Sequence, residues 1–254
     1  MFSNIKTCIS PLSPSFSNIP FEARLFMSIS ELEALTLRKG ESAFIWFNNY
    51  AGIVIKSPTR VILVDPVEVD PEAFTKVKVI LITHEHYDHL DESIVETIHA
   101  KTKCTVISDP TSFLRLSDVV SSEKLIEAKV GEAVDVDGLT IRSEHSNHPP
   151  ATTPVTYLIT TEDGITVYHT SDSLPFNDMR KIGQQYKPDI AFCTIGIAPS
   201  ASPKTGAEIA KLVQPKLAIP YHGTKADEFV QILSREAPTI RCLVIQKDRL
   251  YKYP

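Results

Sequence analysis

Short apolar runs rich in β-branched residues alternate with turn residues through the first two thirds of the chain. Val, Ile and aromatic side chains favour the pleated surface of a sheet, whereas Asn, Ser, Pro and Gly favour the turns between strands. Asp-Gly pairs at 137–138 and 163–164 add two hairpin signals. The pattern predicts strands at residues 43–47, 52–56, 61–65, 79–83, 105–107, 133–136, 139–144, 155–160 and 165–169.

Helical patterns flank these strands and alternate with strands in the last third of the chain. Ser30 and Gly40 predict the limits of a first helix at 29–38, and Asp109-Pro110 is a typical helix start. Helices covering the outer faces of sheets fit this alternation and indicate an α/β fold. The predicted elements are helices at 91–100, 206–213 and 226–235 and strands at 190–195, 217–220 and 240–245.

The strand at 79–83 ends in a cluster of residues that bind metals. Imidazole and carboxylate groups are ligands of zinc and similar divalent ions. Neighbouring side chains of a strand point to opposite faces, but a tight turn can direct one pair toward one ion and the other pair toward a second. Four such residues in six positions predict a metal site: His84, His86, Asp88 and His89.

This motif resembles the His-x-His-x-Asp-His sequence of metallo-β-lactamase-fold hydrolases. The resemblance implies a four-layer αββα sandwich in which two divalent ions share a bound water that attacks the substrate. It also implies three further ligands, each after a later strand. His145 is the expected third histidine of the first ion, with His148 as its rival; Asp172 is the expected bridging carboxylate, and His222 completes the second ion.

The residues around these ligands resemble the branch that contains L-ascorbate-6-phosphate lactonase. By this resemblance Asp65 accepts a hydrogen bond from a ligand histidine and orients it, and a turn-forming Asp before Pro66 is the alternative. His169, next to the expected bridging loop, is either a residue that orients a ligand or a core histidine with satisfied hydrogen bonds. Asp88 is the expected proton shuttle, because it can bind metal with one oxygen and accept a proton with the other. Two departures from the branch stand out: Asn49 replaces an early histidine, and Ser171 replaces a glycine. His148 and Asn49 are candidates for the substrate pocket.

The predicted function is therefore a dinuclear hydrolase of a lactone, ester, amide or phosphodiester. The expected ions are zinc, with manganese or iron as alternatives. A di-iron redox protein on the same fold and a metal-binding protein without turnover are the alternative functions. The substrate is expected to be a small molecule.

Composition narrows the possible partners and the cellular location of the protein. The net charge of −5, without a basic cluster, argues against nucleic acid as a partner. Four widely spaced cysteines indicate reduced thiols in a cytoplasmic protein, and no apolar run is long enough to predict a membrane span. Residues 1–20, rich in Ser and Pro, predict an irregular lead-in that lacks the pattern of a signal peptide. Residues 21–254 are expected to form one domain, and homo-oligomerisation stays open.

Overall fold

Two seven-stranded sheets form the centre of the computed structural model, which describes residues 21–254. The irregular lead-in expected at residues 1–20 lies outside these residues, and the single-domain boundaries stay a prediction. The first sheet has the order Tyr251–Tyr253 (β14), Ser42–Trp46 (β1), Ile53–Lys56 (β2), Val61–Val64 (β3), Val77–Ile82 (β4), Thr105–Ser108 (β5) and Leu125–Glu127 (β6). The second has the order Arg241–Cys242 (β13), Leu217–Tyr221 (β12), Ile190–Thr194 (β11), Thr166–His169 (β10), Val155–Thr160 (β9), Leu139–His145 (β8) and Ala133–Val136 (β7).

Helices cover the outer face of each sheet. Strand β4 shows why: Val79 and Leu81 pack between the sheets, whereas Ile80 and Ile82 pack against helices. Because both faces of such a strand are buried, the run is continuously apolar instead of alternating. The predicted four-layer αββα sandwich is confirmed. The helices are Phe21–Ala34 (α1), Glu92–Thr102 (α2), Pro110–Leu116 (α3), Met179–Tyr186 (α4), Pro203–Val213 (α5) and Ala226–Glu236 (α6).

Helix α1 differs most from its predicted limits of 29–38, which were wrong. It begins at Phe21 and ends at Ala34. Leu25, Ile29 and Leu32 are buried at helical spacing, so the apolar stripe starts before Ser30 and sets the position of the helix. Ser30 is an exposed residue within the helix and not its cap.

Other differences lie where local signals are weak. The strand predicted at 240–245 is confined to Arg241–Cys242, and β6, α4 and β14 are additional to the predicted elements. Strand β14 has only three residues and pairs with β1, about two hundred positions away in the sequence, so its formation depends on tertiary pairing. None of the helices within residues 21–254 combines the length and the apolar character needed to cross a bilayer.

Strand directions bring the carboxyl ends of several strands to one edge of the sandwich. In the first sheet β3 runs parallel to β4. In the second, β10, β11 and β12 are parallel. Strand β8 shares their direction, because β8 and β10 are both antiparallel to β9. Side chains that follow β3, β4, β8, β10 and β12 can therefore meet at this edge.

Candidate metal centre

The four residues of the first motif lie in the tight turn that joins β4 to α2. Backbone N–H groups of His89 and Leu90 both donate to the carbonyl of His86 at 2.9 Å, which closes the turn. Asp91 then caps α2, its carboxylate accepting from the backbone N–H of Ser93 and Ile94. The turn points its four candidate ligands in two directions, and they enter two separate groups.

The first group, called here the trihistidine cluster, contains His84, His86 and His148. His86 Nδ1 lies 3.1 Å from His84 Nε2 and 3.4 Å from His148 Nε2. His145, the third ligand expected from the sequence, lies outside this cluster. It is exposed at the end of β8, where its ring meets the edge of Phe176 at 5.0 Å between centroids. The structure therefore brings His148, and not His145, together with His84 and His86.

The different positions of the two histidines follow from the path of the chain after β8. His145 is still paired with Val155 at the end of the β8–β9 ladder, which fixes its backbone in the sheet. The chain then leaves the sheet, and His148 is the residue that becomes buried. The backbone N–H of Ala151 donates to the His148 carbonyl at 3.2 Å, so the segment turns directly after this residue.

The second group, called here the carboxylate cluster, contains Asp88, His89, Asp172 and His222. Asp172 follows β10 and His222 follows β12, so the second sheet supplies half of the group. His89 Nε2 lies 3.8 Å from Asp88 Oδ2 and 3.3 Å from Asp172 Oδ1. The His222 Nδ1 atom lies 3.5 Å from the same Asp172 oxygen.

Asp172 faces both groups. Its Oδ1 atom lies near His89 and His222, whereas its Oδ2 atom lies 3.8 Å from His148 Nε2. Two oxygens of one carboxylate thus face two separate sets of ligands. This is the arrangement that a bridging carboxylate requires.

Several buried polar atoms of the carboxylate cluster have no hydrogen-bond partner among residues 21–254. A buried polar atom without a partner costs free energy, so such atoms are rare unless they bind a ligand or water. Within one cluster they indicate a common ligand that all of them can bind, and imidazole nitrogen with carboxylate oxygen is a donor set suited to a divalent cation. The atoms are His89 Nε2, Asp172 Oδ1, His222 Nδ1 and His222 Nε2.

Burial and charge set the protonation of these residues. Burial lowers the pKa of His84 and His148, and that of His222 to about 4, which favours the neutral imidazole that binds metal. Burial also opposes protonation of His89, but the negative charges of Asp172 and Asp65 outweigh it and raise the pKa of His89 to about 10. Burial opposes ionisation of Asp172, yet the positive charge on His89 keeps the pKa of that carboxylate well below its usual range.

Asp65 holds His89 in place from behind. It is fully buried, and its Oδ2 atom accepts from His89 Nδ1 at 2.8 Å, which directs His89 Nε2 toward the cluster. Thr83 fixes Asp65 in turn, donating from its backbone N–H at 2.8 Å and from its hydroxyl at 2.7 Å. The hydroxyl of Ser171 donates to Thr83 Oγ1 at 2.7 Å. One hydrogen-bonded chain therefore links the turn before Asp172 to the histidine motif.

Three non-glycine residues at this edge adopt the left-handed backbone conformation. Asp65, Ser171 and His222 have φ values of 47°, 48° and 53°. Such conformations cost about 1–2 kcal/mol for a residue with a Cβ atom, and they concentrate at functional sites. A glycine would adopt the angle of Ser171 without strain, and the bond from Ser171 to Thr83 offsets part of the strain here.

His169 and Asn49 lie farther from the two clusters. His169 Nε2 donates to the Ala51 carbonyl at 2.9 Å and lies 3.3 Å from the Tyr221 hydroxyl, so it packs beneath the turn that carries Asp172. Asn49 is exposed, and its side-chain oxygen accepts from Lys247 Nζ at 2.8 Å. The structure thus places Asn49 on the surface, paired with a lysine.

Three residues of this region were missed by the sequence reasoning. Thr83 was the easiest of them to identify from the sequence, because it directly precedes His84 at the end of β4. Tyr50 lies 6.3 Å from His222 and 6.4 Å from the exposed Tyr87, measured between ring centroids, and these rings form an aromatic rim. No pattern in the sequence points to Tyr50, because its approach to His222 depends on the packing of one sheet against the other.

The sandwich and the paired clusters define the class of protein: a two-sheet α/β protein with the metallo-β-lactamase fold. Residues 50–223 match the sequence family described as a beta-lactamase superfamily domain. The structure is similar to that of Igni18, a novel metallo hydrolase from Ignicoccus hospitalis, with a TM-score of 0.72 and 21% sequence identity. The similarity covers 84% of this chain and 99% of that one.

Curated relatives narrow the class to a family. Over 146 residues the chain is 35% identical to a UPF0173 metal-dependent hydrolase of Saccharolobus solfataricus, covering 57% of this chain and 64% of that relative. Over 179 residues it is 30% identical to a UPF0173 metal-dependent hydrolase of Sulfurisphaera tokodaii, covering 67% and 78%. The chain belongs to the UPF0173 family within the beta-lactamase superfamily.

Proposed function

We propose that this protein is a metal-dependent hydrolase that uses two divalent ions and acts on a small molecule. The observation that carries the proposal is the position of Asp172, whose two oxygens face the trihistidine cluster and the carboxylate cluster. His84, His86 and His148 would hold one ion, and Asp88, His89 and His222 would hold the other. Bound there, two such ions lower the pKa of water and polarise the oxygen of the substrate that gains charge.

The protein's own residues supply orientation and proton transfer. Asp65 and Thr83 fix the ring of His89, so the direction of its Nε2 atom does not depend on the substrate. Asp88 is the proposed proton shuttle. Its side chain is 13% exposed, compared with 4% for Asp172, which makes Asp88 the more accessible of the two carboxylates to a reacting molecule.

The class of substrate is a hydrolysable lactone, ester, amide or phosphodiester. A sugar-phosphate lactone is the narrower choice that the resemblance to the lactonase branch supports. Zinc is the proposed metal, with manganese or iron as alternatives for the same nitrogen and oxygen ligands. The cytoplasmic location remains a prediction. The exclusion of nucleic acid and membranes as partners also remains a prediction.

Metal removal tests this function directly. The purified protein is analysed for bound elements, stripped with a chelator and assayed on an ester, a lactone and a phosphodiester. We expect activity to disappear in the stripped protein and to return with zinc or manganese, near two ions per chain. Equal activity before and after stripping would contradict the proposal.

The same preparation separates the two alternative functions. A di-iron redox protein predicts iron with a visible absorption band and no metal-restored hydrolysis. A metal-binding protein without turnover predicts two bound ions and no hydrolysis of any substrate in the panel.

A further inference from the structure

A cavity lies beside the metal centre, at the rim where the two sheets meet. It has a volume of about 450 Å³, within the range of small-molecule sites. The start of α3 forms one side at Pro110, and the loop from β6 to β7 forms another at Val130. The remaining wall comes from the end of β8 and from residues 152–155.

Residues 152–155 tie this cavity to the histidine motif. The backbone N–H of Val155 donates to the Thr83 carbonyl at 2.9 Å. Thr152 donates to Glu85 Oε1 from its backbone N–H at 2.8 Å and from its hydroxyl at 2.7 Å. One wall of the cavity is therefore hydrogen-bonded to both neighbours of His84.

His145 connects the cavity to the segment that follows Asp172. His145 lines the cavity, and its ring also contacts Phe176, four residues after Asp172. His145, which the sequence predicted as a metal ligand, thus lies between the cavity and the segment that follows Asp172. Its position suits a side wall better than a ligand.

The lining is mainly apolar and includes one unsatisfied polar group. Val130 is 56% exposed at the rim, a large apolar side chain with little cover from residues 21–254. Ser146 is 4% exposed, and its hydroxyl has no hydrogen-bond partner in the part of the chain that the structure describes. Because a buried hydroxyl without a partner is costly, a ligand with a hydrogen-bonding atom at this point would be favoured. Among the described residues, no carboxylate lines the cavity, and Lys129 lines it.

We propose that this cavity binds the apolar, non-reacting part of the substrate, such as the alkyl chain of an aliphatic ester or lactone. This inference rests on the proposed hydrolase function and narrows its substrate class to aliphatic esters and lactones, in place of the sugar-phosphate lactone that the resemblance favours. The alkyl chain would pack against Val130, Pro154 and Val155, and an oxygen of the substrate would pair with the Ser146 hydroxyl. Binding energy from this remote part would then hold the reacting group at the metal centre.

A series of methyl esters tests the inference, because methanol is too small a leaving group to fill the cavity itself. Zinc-loaded protein is assayed on methyl acetate, methyl butyrate and methyl hexanoate by acid release. Two buried methylenes should raise kcat/KM about tenfold from acetate to butyrate. Val130→Asp should remove this rise, and elemental analysis should find the same bound metal per chain as in the wild type. Val244→Asp, the same change at a 40% exposed valine outside the cavity, is the matched control.

The outcomes separate this inference from the proposed function. Metal-dependent hydrolysis with no dependence on chain length would overturn the cavity assignment alone. If no ester, lactone, amide or phosphodiester is hydrolysed with any metal, the hydrolase function fails, and binding of 8-anilinonaphthalene-1-sulfonate tests the cavity instead. The cavity assignment would be supported if hexanoate displaces the dye from the wild type, so that its fluorescence falls, and if Val130→Asp does not bind the dye. Equal dye binding by the wild type and Val130→Asp would overturn the assignment.

Discussion

The trihistidine cluster and the carboxylate cluster lie side by side but differ in charge. The first contains only imidazoles, and burial keeps His84 and His148 neutral by lowering their pKa. The second contains two carboxylates, and its His89 lies between the negative charges of Asp172 and Asp65. Without metal, His84 and His148 of the first cluster are neutral, whereas His89 of the second cluster carries a proton between the carboxylates of Asp172 and Asp65. The two proposed ions therefore bind in different electrostatic surroundings.

The difference follows from which strands supply the ligands. Both clusters draw on the single turn after β4, but the second sheet adds one neutral histidine to the first cluster and a carboxylate with a histidine to the second. Asp172 is the only residue in these two clusters whose oxygens face both of them. Its removal should affect both ions, whereas the loss of another ligand should affect mainly one.

The largest expected effect comes from Asp172→Asn. The amide keeps the shape but removes the negative charge, so we expect loss of most bound metal and a fall in kcat of at least about a thousandfold, or about 4 kcal/mol. Elemental analysis and assay on a methyl ester measure both effects. Asp178→Asn changes an exposed carboxylate at the start of α4 and is the matched control. Two ions per chain with ordinary turnover in Asp172→Asn would show that the carboxylate does not connect the clusters.

His148→Ala and His145→Ala test the composition of the trihistidine cluster. Because His148 Nε2 lies 3.4 Å from His86 Nδ1 and His145 is exposed, only the first change should remove a ligand. We expect His148→Ala to lose about one ion per chain and about a hundredfold in activity, roughly 3 kcal/mol. His145→Ala should keep both ions. The reverse pattern of metal content would restore His145 as the ligand.

The choice between these two histidines also shows where sequence reasoning ends. His84, His86, Asp88 and His89 could be found together because one short turn carries them, and local chemistry suffices. The sequence favours His145 over its rival His148, because His145 stands at the end of the predicted strand and is followed by Ser146. What distinguishes them is the path of the chain after the sheet, which depends on contacts between the segment at 146–155 and the other sheet.

The same distinction applies to the fold. Apolar runs and turn residues predict strands and helices layered in an α/β fold, and the resemblance to metallo-β-lactamase-fold hydrolases adds the αββα sandwich. Strands β6 and β14 could not be predicted, because each has only three residues and forms through pairing with another strand. Strand β14 pairs with the distant β1, and β6 pairs in parallel with β5. Ser171 lies between these cases: its departure from glycine was visible, but its bond to Thr83 was not.

The pH dependence of metal binding should differ between the clusters. His89 has a raised pKa of about 10, so near neutral pH it carries a proton that metal must displace, and affinity at the carboxylate cluster should rise about tenfold per pH unit. His84 and His148 have lowered pKa values, so no proton competes there above pH 7. Zinc competition with a chelating dye between about pH 7 and 8, on wild type and His148→Ala, measures each slope. Equal slopes for both ions would remove the electrostatic distinction.

The smallest expected effect concerns Ser171, which joins the turn of Asp172 to Thr83. Ser171→Ala keeps the strained φ of 48° and loses the hydroxyl bond, so metal-free protein should lose about 1 kcal/mol of unfolding free energy. Ser171→Gly loses the same bond but relieves the strain, so it should be more stable than the alanine variant by about 1 kcal/mol. Urea unfolding measures both. If glycine and alanine destabilise the protein equally, the backbone at this turn stores no strain, and the hydroxyl bond alone aligns the two clusters.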